Sequence, residues 1–204
     1  VHESQRLLFE MQLARSAPFL QCLRPLVIAA FGEQEALSEQ NFLRLNQRVQ
    51  AGLIRVDADE VSYPAHVILR YEIEKALIEG EIEVDDIPAL WDEKMQHYLG
   101  LDTRGNYRNG CMQDIHWTDG AIGYFPTYTL GAMYAAQLFQ AANRALPTLQ
   151  QDIAGGNLTG LFDWLKQNIW QHGSRFSTDE LMTRATGEPL NPAWFRQHLE
   201  SRYL

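Results

Sequence analysis

Three short segments of this 204-residue chain carry side chains able to do chemistry. The first, His2-Glu3-Ser4-Gln5, opens a helix. A carboxylate there can bind a cation if other ligands converge on it. Alone, a glutamate there is more often a partner of the helix dipole. No HExxH pattern, which sets two histidines one helical turn apart around a general base, occurs in the chain. His66, His97, His172 and His198 stand isolated, so the residues by themselves do not support a metal site. In the second segment, Ile54-Arg55-Val56-Asp57-Ala58-Asp59, an arginine ends an apolar run and two carboxylates follow. Its planar fork suits bidentate binding of a substrate carboxylate. A structural tie from Arg55 to Asp57 or Asp59 fits the same residues. The third segment runs from Gly110 through Gln113, Asp114, His116 and Trp117 to Tyr124, Phe125 and Tyr128. If it is extended, Asp114 and His116 share a face and the carboxylate can orient the imidazole. A glutamine, a histidine, a tryptophan and two tyrosines among glycines resemble a pocket lining. An aromatic loop packed on the core fits as well.

The elements that must position these residues read as mostly helical. Leu7, Leu8, Met11 and Ala14 recur at helical spacing, and Pro18 closes or kinks that segment. A second apolar run, Phe19 to Phe31, contains Pro25 and ends at Gly32; Leu37, Phe42, Leu45 and Val49 form a third stripe. Leu53 to Val56, apolar and β-branched, is a candidate short strand. Val61 to Ile78 returns to helical spacing through Val67, Ile68, Tyr71 and Leu77, with Pro64 in its first turns. Asp86 to Leu99 predicts a helix with Trp91 and Met95 inward, stopped by Gly100. From Asp102 to Gly123 periodicity gives way to glycine, Asn, Asp and Thr, a long ordered loop or a pair of short strands near 108–117. Pro126 opens a helix to Leu146, and Asn157 caps another reaching about His172. Ser177 with Glu180 makes a capping box, and Asn191-Pro192 marks a further start. No repeat or linker divides the chain, so residues 1–204 read as one α-rich domain.

Composition narrows the function classes. Lys plus Arg is 17 against Asp plus Glu 26, a net charge of −9, which repels phosphate backbones and anionic lipid. Nine acidic residues between Glu72 and Glu93 face only Lys75, the pattern of a solvated helix face and the loop after it. Cys22 and Cys111 form neither a metal motif nor a disulfide framework, pointing to a reduced, cytoplasmic protein. The longest apolar stretch, Leu26 to Phe31, is too short to span a bilayer.

Taken together and in order, the three segments resemble the carboxypeptidase Taq family. That family is marked by HES-Q, then I-R-x-x-A-D, then G-x-x-Q-D-x-H-W, and this sequence matches all three without a mismatch. The stretches Ala58 to Gly80 and Gly123 to Gly131 also look like the family's, and the resemblance covers essentially the whole chain. It implies the C-terminal portion of an α-helical metallopeptidase fold and a metal-dependent exopeptidase. Such enzymes release single amino acids from peptide C-termini with broad specificity. It implies zinc, with cobalt or another divalent ion as alternatives, held by the two histidines of HExxH and a later glutamate that matches Glu3. Arg55 matches the arginine expected to hold the substrate's free carboxylate, with Gln113 and Tyr124 beside the substrate. His116 then lies near the scissile carbonyl, and Tyr128 steadies the oxyanion, with Tyr124 as its rival.

The HExxH segment does not occur, so the resemblance implies a chain that begins after it and a catalytic domain only partly present. From this we expect the isolated chain to be inactive, to bind zinc weakly, and to expose apolar surface that favours self-association. The full-length protein is expected to be a homodimer acting on peptides with a free C-terminus. Two other readings stay open: a non-catalytic helical interaction module, and a metallopeptidase of the same architecture with endopeptidase or dipeptidase specificity.

Overall fold

Proline, glycine and short polar side chains set the helix boundaries of this chain, seen in a computed structural model that describes all residues from Val1 to Leu204. Ten α-helices and several single turns account for its regular structure, and there is no strand. The chain divides into two compact units, Val1–Gln47 with Leu130–Leu204, and Arg48–Thr129. The division falls near the start of one helix, Pro126–Ala145.

In the first unit, α1 (His2–Leu7) continues into a π-helical turn, Leu8–Leu13, where the Ala14 amide reaches back to the Phe9 carbonyl. Such a turn leaves carbonyls without regular partners. Arg202 answers two of them, Met11 at 2.5 Å and Gln12 at 3.3 Å. Pro18 does not terminate this segment. It sits in the first turn of α2 (Ala17–Phe31), where a missing N–H costs nothing, and the Ser16 hydroxyl accepts from the Phe19 amide. Gly32 ends α2 at φ 79°, as its position in the sequence predicts. Then follow α3 (Glu39–Asn46), α6 (Pro126–Ala145), α7 (Leu149–Ala154), α8 (Thr159–Asn168), α9 (Thr178–Thr186) and α10 (Ala193–Tyr203). The short α7 has too few turns to show a sequence period, and its Leu149 and Ile153 are buried. The capping box of Ser177 and Glu180 forms, and the Asn157 and Asn191 side chains accept from the amides of Thr159 and Ala193.

The core of this unit joins Leu7, Leu8 and Met11 to Ala132, Ala135 and Leu138 of α6 and to Leu161, Leu165, Met182 and Phe195. Each fully buried leucine contributes roughly 1.5–3 kcal/mol. The face of α6 is built from small residues, Gly131, Ala132, Ala135 and Ala136, which lets neighbouring backbone come close. Gln137 is fully buried and donates to Thr186 and to the Glu188 and Pro189 carbonyls, while accepting from the Asn191 amide.

The second unit contains α4 (Tyr63–Ile78) and α5 (Ile87–Leu99), joined around Leu69, Ile73, Trp91, Met95 and Cys111. Pro64 lies in the first turn of α4, Trp91 and Met95 point inward, and Gly100 ends α5 in the left-handed region at φ 69°. The inward face of α4 differs from the predicted one. Ile68 and Tyr71 are exposed, while His66, Arg70 and Glu74 are buried beside Val67, Leu69 and Ile73.

The candidate strands at 53–56 and 108–117 are turns. A 3-10 turn occupies Arg55–Asp57 and another Ile115–Trp117. A strand needs a neighbouring strand to satisfy its backbone groups, and here one side chain answers them instead. Gln113 Nε2 donates to the Leu53 carbonyl at 3.0 Å, and its Oε1 accepts from the Arg55 amide at 2.7 Å.

Candidate active site

In the second unit the loop after α5 folds back onto α4 and the Arg55 turn. Arg55 is buried and donates from three positions. Nε and Nη2 reach Asp114 Oδ1 at 2.9 and 2.8 Å, and Nη1 reaches the Tyr63 hydroxyl at 2.7 Å. Its guanidinium also lies 4.8 Å from the centre of the Phe125 ring and 5.4 Å from that of Tyr128. A guanidinium has five N–H donors, so these bonds leave one on each terminal nitrogen for a ligand.

The sequence offers Asp57 or Asp59 as structural partners for Arg55; the partner is Asp114. Asp57 is exposed. Asp59 accepts from the amides of Gln50, Val61 and Ser62 at 2.8–2.9 Å and so shapes the entry to α4. Burial works against the Asp59 charge, but those backbone donors prevail and hold its pKa below the ordinary carboxylate value.

His116 sits where Asp114, Tyr128 and Phe125 meet. Its Nε2 lies 3.0 Å from the Tyr128 hydroxyl, and its Nδ1 3.9 Å from Asp114 Oδ1. The Phe125 ring packs edge-on at 4.9 Å, and Tyr124 stacks at 6.1 Å. Burial lowers the imidazole pKa, and the charges of Arg55 and Arg70 lower it further against the pull of Asp114. The fold thus favours the neutral imidazole, and its Nε2 shares one hydrogen bond with the Tyr128 hydroxyl. Tyr124 is 38% exposed at the outer edge of this aromatic cluster, whereas Tyr128 is bonded within it. Gln113 turns its carboxamide to backbone, donating also to the Asn109 and Gly110 carbonyls, and so fixes the Arg55 turn.

A second layer lies beneath. Arg70 donates from Nε to Glu74 Oε1 at 2.7 Å, and Glu74 Oε2 accepts from the Gly123 amide at 2.8 Å. The Arg70 guanidinium stacks on Trp117 at 3.3 Å, with its Nη1 3.8 Å from Asp114 Oδ2. Trp117 itself donates to the Cys111 carbonyl at 2.7 Å. Sequence reasoning passed over Tyr63, Arg70 and Glu74. Their signal was an arginine and a glutamate four residues apart, flanked by Leu69 and Ile73.

Glu3 belongs to the first unit. Its side chain is 13% exposed, with Arg6 Nη2 3.4 Å from one carboxylate oxygen and His2 Nδ1 3.7 Å from the other. The rest of the HESQ segment anchors α1. Ser4 Oγ donates to the Val1 carbonyl, Gln5 Nε2 donates to Ser4 Oγ, and Gln5 Oε1 accepts from the Trp170 indole. No three His, Cys, Asp or Glu side chains gather into a group able to hold a metal ion. Glu3 is thus a single carboxylate, and no cation site is built within this chain by itself. The remaining sequence candidates, Arg55, Gln113, His116, Tyr124 and Tyr128, come together in the second unit.

The chain resembles known proteins along its whole length. The sequence model of the carboxypeptidase Taq (M32) metallopeptidase family matches residues 1–203. The chain is 40% identical over 203 residues to thermostable carboxypeptidase 1 of Thermus thermophilus and 38% identical over 204 residues to carboxypeptidase 1 of Bacillus subtilis. All of this chain is covered in both cases, and it spans 40% of the length of each relative. Among solved structures, metallocarboxypeptidase 1 of Trypanosoma cruzi superposes with a TM-score of 0.96 at 51% identity, over 100% of this chain and 42% of that one.

Proposed function

Because the chain belongs to the carboxypeptidase Taq (M32) metallopeptidase family, we propose that residues 1–204 form the C-terminal part of the catalytic domain of a metal-dependent carboxypeptidase releasing single residues from free peptide C-termini. The observation that carries this reading is the meeting of Arg55, His116 and Tyr128 in one aromatic, largely buried cluster. Arg55 takes the terminal carboxylate with the N–H groups that Asp114 and Tyr63 leave available. A charge-assisted, bidentate grip of that kind positions the last peptide bond. Asp114 holds the guanidinium plane, and Gln113 acts on the substrate side through the Arg55 backbone. His116 keeps the Tyr128 hydroxyl in place at rest. As an oxyanion develops it competes for that hydroxyl, which then donates to it. Tyr124, more exposed, lines the approach. Glu3 supplies one carboxylate to a divalent cation, zinc in our reading with cobalt an alternative, whose other ligands lie outside this chain. When bound, such a cation activates water and polarises the carbonyl. A cytoplasmic setting and a homodimeric whole protein complete the proposal, supported by the family and by two unpaired cysteines.

The experiment compares Arg55→Ala with the parent in the full-length polypeptide, on matched peptides ending in a free acid or an amide. Activity on the free acid should fall about a hundredfold, the cost of losing substrate positioning, and the preference for acid over amide should collapse. Equal losses on both substrates, or none, would exclude Arg55 as the carboxylate anchor. The 204-residue chain alone should release no amino acids, since it carries one candidate cation ligand.

A further inference from the structure

Glycine is a poor choice for a helix interior, because it gains the most backbone freedom on unfolding. Gly131 nevertheless lies buried within the twenty-residue α6. The space it leaves is taken by Glu3. A methyl group on Gly131 would stand 2.7 Å from the Glu3 Cβ, 3.2 Å from the Glu3 carbonyl carbon and 3.1 Å from Leu7 Cδ1. Leu7 could turn aside by changing rotamer. The Glu3 Cβ and carbonyl carbon cannot, since they move only with the α1 backbone. Restoring ordinary carbon–carbon contact of about 3.5–4.0 Å requires α1 to shift by roughly 1 Å. That shift has no easy outlet by rotation, because Gln5 is bonded to Trp170 and Leu7 and Leu8 are sunk in the core.

We infer that Gly131 is a positioning residue for Glu3: the missing side chain on α6 sets how deeply the first turn of α1 seats, and therefore where the Glu3 carboxylate is presented. This rests on the reading of Glu3 as a cation ligand. Cation–carboxylate distances tolerate only about 0.2 Å, so a displacement several times larger should weaken the cation site even when the protein stays folded.

The test uses the full-length polypeptide loaded with zinc, with affinity read by chelator competition and the stability of the metal-free protein by thermal unfolding. Gly131→Ala should bind zinc about ten- to a hundredfold more weakly, the range seen when a ligand's supporting residues are altered. Leu138→Ala, about two turns along the same helix in the same core, should lower the melting temperature yet leave zinc affinity within about twofold. Glu3→Gln should lose at least as much affinity as Gly131→Ala. A folded Gly131→Ala protein with parental affinity, while Glu3→Gln loses it, overturns the inference and leaves the ligand reading standing. A Leu138→Ala protein weakened as much as Gly131→Ala overturns it too, as general loosening. Parental affinity in Glu3→Gln sinks the ligand reading and this inference with it. Should Gly131→Ala fold poorly, the same contact is tested by pairing it with Glu3→Gly or Glu3→Ala. Removing the Cβ at position 3 should recover most of the lost melting temperature and shortening the side chain should not; equal recovery counts against the contact.

Discussion

At the scale of single residues, the decisive feature is how many partners converge on Asp114. One of its oxygens takes two N–H groups from Arg55, the other faces Arg70 at 3.8 Å, and His116 stands 3.9 Å away. Breaking a buried pair by neutralising one member strands the other charge in a poorly solvating interior. Asp114→Asn should therefore cost about 3 kcal/mol or more in urea unfolding. Asp57→Asn, at an exposed carboxylate, should stay within about 0.5 kcal/mol. The reverse ranking would restore Asp57 as the structural partner of Arg55. From sequence alone the arginine and its candidate acids were visible, but the choice among them was not. Asp57 and Asp59 are near Arg55 in the chain, whereas Asp114 is 59 residues away and arrives only because the loop folds back.

At the scale of elements, α4 is where pattern reading worked least well. Helix boundaries followed from Pro64, Gly100, Pro126, Ser177 and Gly32, because caps and backbone-restricted residues act through local chemistry. The buried face of α4 did not follow, because it carries charges in mutual contact. Glu74 belongs by position to the acidic run from Glu72 to Glu93. It is nonetheless 2% exposed, bridging Arg70 to the Gly123 amide, whereas Glu72 bonds to Lys94 and Tyr98 near the surface. The two glutamates, only two residues apart and so on roughly opposite sides of α4, should thus behave differently. Glu74→Ala takes from Arg70 its hydrogen-bonded carboxylate, leaving only the more distant Asp114, and frees the loop that leads to Tyr124, so it should cost on the order of 3 kcal/mol and speed amide exchange at Gly123. Glu72→Ala removes a half-solvated pair and should cost no more than about 1 kcal/mol. Similar losses from both would mean that the Arg70–Glu74 bridge contributes no more than a surface contact. The strand candidates misled for a related reason. Apolar, β-branched residues at 53–56 satisfy the composition of a strand, yet the backbone partner supplied there is the Gln113 side chain, which no period-two pattern can reveal.

At the scale of the whole molecule, the histidines His66 and His116 and the carboxylates held low act on stability in different pH ranges. His66 is 2% exposed in the unit Arg48–Thr129, and burial lowers its pKa; the charge of Arg55 lowers it further, while the Gly52 backbone, Asp114 and Asp59 pull the other way. His116, in the same unit, is lowered for the same leading reason. A histidine with a folded pKa below its unfolded value of about 6.5 binds more protons when unfolded. Its contribution is then fully present above the unfolded pKa and is lost as pH falls below it, by at most about 1.4 kcal/mol per pH unit for each group. The carboxylates held low, Asp59 and Glu72 among them, lose their contribution only at lower pH, as the medium passes below ordinary carboxylate values. Two windows should therefore separate. Between pH 7.5 and 5.5 the urea midpoint should fall, and amide exchange should locate the loss in residues 48–129. His66→Leu removes one of the two groups without leaving a charge behind, so its midpoint should fall less across that interval while its loss below pH 4 stays as steep. An unchanged pH 7.5-to-5.5 slope in His66→Leu would show that His66 does not carry the acid sensitivity, and a flat slope in the parent would mean that neither imidazole is held neutral by the fold.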